Sequence, residues 1–255
     1  MNRTILALMV AAMACSAGAA CPQAKSGGSV RQDPTRPLLR QGKDTWGWWA
    51  RCGQHHNYLL TNDAFDVVFV GDSITHGWEG RGRKVLNELS REFKILNLGY
   101  AGDRTETVLW RFRCAEQLKG YKTKAFMLMI GINNLVGNPS CAPADAAAGV
   151  RAVIDDIRAA HPESKILLMG LLPHGKKPNP QGGAAQTNRL IEKFADGENV
   201  VYLDCWNDFV GADGRIPDGV LADGLHPSEK GYRIWRDAAL PILRRFCENN
   251  KQVKE

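Results

Sequence analysis

Gly71-Asp72-Ser73 follows an apolar run, Val67-Val68-Phe69-Val70, and Asp223-Gly224-Leu225-His226 stands near the other end of a 255-residue chain. A serine at the end of a buried strand can be held out on a tight turn. An Asp-x-x-His element can bring a base and the carboxylate that orients it into one short loop. Together they are the parts of an activated nucleophilic hydroxyl.

Those parts need a scaffold, and the sequence carries one. From residue 66 onward, short apolar runs alternate with segments of helical periodicity. Strands are expected at Asp66–Val70, Phe93–Leu98, Ala125–Ile130, Lys165–Gly170 and Val200–Asp204. Each is nearly continuous in apolar residues, as strands covered on both faces must be. Helices are expected over 104–118, 144–160 and 184–196, and again after Pro227, where Pro241 should break or kink the last one. Five strands alternating with helices argue a parallel sheet sandwiched between two helical layers. Such sheets hold ligands beyond the carboxyl ends of their strands.

The residues after each strand carry the polar groups. Gly71 permits a sharp turn, and Ser73 then stands at a helix start, where a serine is also an ordinary N-cap. After the second strand, Asp103 and Glu106 have the spacing of a capping box, and Gly102 lies just ahead of a helix N-terminus with its N–H able to face an anion. After the third comes Gly131-Ile132-Asn133-Asn134, where an asparagine amide could donate to a developing oxyanion. Pro227 forces His226 into an extended conformation ahead of the last helix.

The joint pattern resembles the SGNH (GDSL) hydrolase superfamily. It rests on Gly-Asp-Ser in the first block, Asn-x-Gly-x-x-Gly-Asp-x-Thr from Asn97 to Thr105, Gly-x-Asn-Asn from Gly131, and Asp-x-x-His from Asp223. The second block and Val108-Leu109-Trp110-Arg111 are most similar to the platelet-activating-factor acetylhydrolase-like branch. The resemblance implies a flavodoxin-like, three-layer α/β/α fold and a serine esterase. It implies Ser73 as nucleophile, His226 as base and Asp223 as its orienting carboxylate. The Ser73 N–H, the Gly102 N–H and the Asn133 side chain would form the oxyanion hole, with no metal or cofactor. The acyl group would be short. Trp78, Arg104, Leu135 and His174, with the basic loop Pro173–Gly183, are the candidate pocket residues.

Composition bounds the rest. Hydrophobic residues make up 44% and charged residues 24%, enough for a packed core. Arg3, an apolar stretch from Ile5 to Ala14 and small residues to Ala20 have the shape of a secretory signal over 1–20. Cleavage there would leave Cys21 near the mature N-terminus, where lipid attachment would tie the protein to a membrane; Gly18 stands where a lipoprotein signal would carry Leu. Residues 21–60 read as a linker or strap, and 61–248 as the hydrolase domain. Trp46, Trp48 and Trp49 suit core packing or, in a sharper reading, a carbohydrate platform. Seven cysteines in an exported chain should in part be paired. The formal charge of +6 is spread without a basic block interleaved with aromatics, which argues against nucleic acid as a partner.

Export and the absence of a broad apolar lid favour an acetylated glycan as substrate over a lysophospholipid or a platelet-activating-factor-like lipid. Two other readings stand against an esterase. One is a non-catalytic glycan-binding module; the other is a phosphate-binding flavodoxin-like protein, which would leave Asp223 and His226 without a task.

Overall fold

The computed structural model describes residues 33–40, 45–137 and 140–249. The expected leader, Cys21 and residues 22–32 lie outside them. Five strands, β1 (Ala64–Gly71), β2 (Ile95–Gly99), β3 (Lys122–Met129), β4 (Lys165–Met169) and β5 (Val200–Leu203), form one all-parallel sheet in the order β2-β1-β3-β4-β5. The helices are α1 (Thr45–Leu59), α2 (Ser73–His76), α3 (Arg83–Leu89), α4 (Thr105–Arg113), α5 (Ile132–Val136), α6 (Pro143–Ala160), α7 (Gly183–Ile191), α8 (Trp206–Phe209) and α9 (Glu229–Asn249).

The sheet is apolar on both sides because successive side chains leave a strand on opposite faces. Val68 and Val70 of β1, Phe126 and Leu128 of β3, and Ile166 and Leu168 of β4 meet α1, α4 and α6. Val67 and Phe69, Ala125 and Met127, and Leu167 and Met169 meet α2, α3, α8 and α9 on the other face. This is the three-layer α/β/α arrangement, wound outward in both directions from β1.

That winding positions the chemistry. β1 lies between β2 and β3, so the loops leaving three adjacent strands carry Ser73, Gly102 and Asn133. The crevice where the winding reverses is where such sheets bind ligands.

Three local expectations change. Residues 45–59, read as part of a linker, are helix α1, with Trp48 and Cys52 buried in the core. Mixed aromatic, polar and small residues hid its apolar face. The helix expected to 118 ends at Arg113, and Glu116 takes a positive φ of 53°. Pro241 does not end α9, which runs through it to Asn249. Proline removes one rung of the helical ladder, but Tyr232, Trp235, Ala239, Leu243 and Phe246 bury one face of α9 along most of its length.

Candidate active site

Ser73 sits at the first position of α2. Its neighbour Asp72, and not Ser73 itself, is the N-cap, accepting the Ile74 N–H at 2.9 Å. Ser73 is thereby released from capping. The turn needs Gly71, because a Cβ there would collide with the Met129 carbonyl and the Thr75 hydroxyl. Burial, opposed by the Ile74 N–H, pushes the Asp72 carboxyl up to about 7.

Ser73 Oγ lies 2.9 Å from His226 Nε2. His226 Nδ1 lies 3.0 and 3.1 Å from the two oxygens of Asp223. The four-residue loop is closed on itself. Asp223 Oδ1 accepts the N–H of His226 at 2.8 Å and of Leu225 at 3.2 Å, and the Ala222 N–H donates to the His226 carbonyl at 2.8 Å. The slight burial of Asp223 raises its pKa, but the two N–H groups and the imidazole outweigh that and hold it well below the carboxylate range. The loop is brought to Ser73 by α9: Tyr232 Oη, six residues beyond His226, donates to the Ile74 carbonyl at 2.7 Å.

On the other flank, Gly102 takes φ +75°, a conformation that suits glycine and sets the direction of its N–H. Among the described residues, neither this N–H nor that of Ser73 is spent on another acceptor. Asn133 begins the first turn of α5 after Ile132, and its Nδ2 donates one hydrogen to the Asp103 carbonyl at 2.8 Å. A second amide hydrogen remains.

Asp103 and Glu106 do not form the expected capping box. Arg104 is the N-cap of α4, its N–H donating to Thr107 Oγ1 at 2.8 Å. Asp103 turns inward instead, fully buried, and accepts from Trp48 Nε1 at 2.6 Å and Arg111 Nε at 2.9 Å. Glu106, also buried, takes Arg104 and Asn134.

Beside Ser73 and His226 opens a cleft of about 370 Å³, lined also by His76, Gly77, Glu79, Gly80, Arg81, Arg83 and Tyr232. None of the four expected pocket residues lines it. Trp78 is fully buried, packed between Phe69, Tyr232 and Trp235, because its place on the turn after α2 faces the core. Arg104 braces Asn133 from behind, donating to its carbonyl at 3.2 Å. Leu135 packs against the α9-side core. His174 lies next to Gly175, whose N–H ties this loop to Gly224 at 2.6 Å. The signal for this cleft was the run of Gly, Glu and Arg after His76, too polar for core and too close to Ser73 to be remote. Arg81 makes the sharpest contact, donating to Asp223 Oδ2 at 3.0 Å. Nor do the tryptophans form a carbohydrate platform: Trp48 is buried, and Trp49 and Trp48 both pack on Trp110, leaving Trp46 as the exposed member.

Comparison with known proteins gives the family and the fold. Residues 69–234 match the model of the GDSL-like lipase/acylhydrolase family. Human platelet-activating factor acetylhydrolase IB subunit alpha2 is 34% identical over 219 residues, covering 84% of this chain and 90% of its own. A GDSL-like lipase from Bacteroides thetaiotaomicron superposes with a TM-score of 0.59 at 16% identity, over 77% of this chain and 98% of that one. A variant of an acetyl-xylooligosaccharide esterase from Geobacillus gives 0.55 at 20% identity, over 71% and 95%. Fold and relatives together define a carboxylic ester hydrolase of the α/β class. The chain belongs to the GDSL-like lipase/acylhydrolase family.

Proposed function

We propose that this is an exported serine esterase that removes short acyl groups, acetyl foremost, from carbohydrate. The single observation that carries the mechanism is the Ser73–His226–Asp223 chain of contacts, at 2.9 and 3.0 Å. Ser73 Oγ attacks the ester carbonyl carbon while its proton passes to His226 Nε2. Asp223 holds the imidazole through Nδ1 and supports its positive charge. The Ser73 and Gly102 N–H groups and the Asn133 amide receive the tetrahedral oxyanion. The intermediate collapses, and the leaving alcohol takes the proton from His226. Water, deprotonated by His226, then attacks the acyl-serine, and the carboxylic acid leaves as Ser73 Oγ regains a proton.

A polar acceptor is supported by the cleft beside Ser73, whose lining includes His76, Glu79, Arg81 and Arg83. The likeness to an acetyl-xylooligosaccharide esterase points the same way. A platelet-activating-factor-like lipid ester is the second reading, favoured by the 34% identity with an acetylhydrolase of that name. Both share the acetyl group. Export is supported by the leader-like first twenty residues and by the disulfide at Cys114.

Acetate release from acetylated xylo-oligosaccharides, compared with release from an acetylated ether glycerophosphocholine, separates the two acceptors. Turnover of the sugar ester by wild type and not by Ser73→Ala is the expected result. Exclusive turnover of the lipid would replace the carbohydrate reading.

A further inference from the structure

The family match begins at residue 69, yet the loop carrying Gly102 is gripped by chain that precedes it. Trp48, Arg51 and His55 lie three and four residues apart on α1 and so share one face. Trp48 Nε1 donates to the Asp103 carboxylate at 2.6 Å. Arg51 donates to the carbonyls of Asn97 at 2.9 Å and Gly99 at 2.8 Å. His55 Nδ1 meets the Tyr100 hydroxyl at 2.6 Å. The segment 33–40 adds its own contacts: the Leu38 N–H donates to the Glu106 carbonyl at 2.9 Å, and the Pro34 carbonyl accepts from Thr105 Oγ1 at 2.9 Å. Arg40 donates to the Ala101 carbonyl at 2.5 Å, and its guanidinium nitrogens lie 2.7 Å from where a Cβ on Gly102 would stand.

Asp103 joins these contacts to the chemistry. Its carboxylate is held by Trp48 and Arg111, its carbonyl accepts Asn133 Nδ2, and its chain neighbour is Gly102. A displacement of Asp103 therefore moves two oxyanion donors at once. Such donors work by being held in place before charge develops.

We propose that the N-terminal segment positions the oxyanion hole, with Trp48 as a positioning residue acting through Asp103 on Gly102 and Asn133. The proposal rests on the assignment of Ser73, Gly102 and Asn133 given above.

Trp48→Phe removes the indole N–H and keeps an aromatic ring. In the full-length enzyme, kcat for p-nitrophenyl acetate should fall roughly tenfold, less than the ~10² that a 1 Å misplacement can cost. KM should stay within about twofold, as for a contact that matters only in the transition state. The loss should shrink to a few-fold when Asn133→Ala is already present, because one of the two donors that Trp48 positions is then gone and only Gly102 remains to be displaced. Unchanged kcat, or the same loss in both backgrounds, would overturn the proposal; the latter would mark Trp48 as a packing residue. If Trp48→Phe does not fold, Arg40→Ala, at a partly exposed position, takes its place in the same cycle, and the same two results would overturn the proposal. Ser73→Ala separates the failures. Turnover that survives it would remove the site itself, whereas lost turnover there beside an unchanged Trp48→Phe would remove only the positioning role.

Discussion

Two carboxylate–arginine pairs flank Ser73, and they are built in opposite ways. Asp103 and Arg111, on the oxyanion side, are fully buried, and Arg111 also stacks 4.0 Å over the Tyr100 ring and donates to Gln117. Asp223 and Arg81, on the base side, are 42% and 51% exposed. The buried pair has no water to replace a lost partner, so it fixes the backbone that carries Gly102. The exposed pair adds little to a loop that Asp223 already holds through two backbone N–H groups. The oxyanion side is thus held by buried tertiary contacts, while the base side is closed largely within four residues and tied outward at Gly224, Asp223 and Tyr232. The division suits the chemistry. Oxyanion donors must not move as charge develops, whereas the imidazole must serve Ser73, the leaving alcohol and water in turn.

The comparison can be broken at several points. Asp223→Asn should show the largest loss, with kcat falling on the order of 10⁴ as the wrong imidazole tautomer is favoured. A loss below tenfold would mean that the loop backbone alone orients His226. Arg111→Met should destabilise the fold by about 3–5 kcal/mol in urea titration, the cost of leaving a buried carboxylate without its partner. A change under about 1 kcal/mol would show that the Trp48 N–H and Arg40 suffice for Asp103. Asn133→Ala should lower kcat by roughly 10²–10³ with a normal fold; an unchanged kcat would reduce Asn133 to a brace on Asp103.

Asp72 gives a pH test. Its folded pKa of about 7 lies above the ordinary 3.8, so the native state keeps a proton that the unfolded chain releases. Stability from this group is full below about pH 4 and is lost as pH rises towards 7. Asp72→Asn keeps an oxygen for the Ile74 N–H, and the slope of stability between pH 4 and 7 should flatten. An unaltered slope would put the titration elsewhere. The smallest effect is expected from Arg81→Ala. An exposed pair is worth about 0–1 kcal/mol, so kcat should change by no more than about fivefold, and added salt should reproduce the change in wild type. A larger loss would make the two flanks alike.

Much of the site could be read from local pattern. The strands were recognisable because burial on both faces demands unbroken apolar runs, and the polar residues just past Val70, Gly99 and Met129 could only be loops at one edge of the sheet. The Asp223–His226 spacing was equally plain, since its contacts close within four residues. The cleft lining was missed for a geometric reason. Trp78 and Arg81 are three residues apart on one turn, yet Trp78 points into the α9-side core and Arg81 towards Asp223. Residues 45–59 were missed because the apolar side of α1 is made of Trp48, Cys52 and a buried His55, a pattern without a clear stripe.

The amino-acid order alone specified which segments become strands, which loops follow them, and the His226–Asp223 partnership, because each depends on neighbours within a few residues. The folded molecule alone decided that Trp48 and Arg111 hold Asp103, that Tyr232 docks the base loop on α2, and that Arg81 meets Asp223. Those contacts join residues as far apart as 158 positions, and their partners are chosen by how the layers pack on the sheet and by which polar groups water is excluded from, which local sequence does not encode.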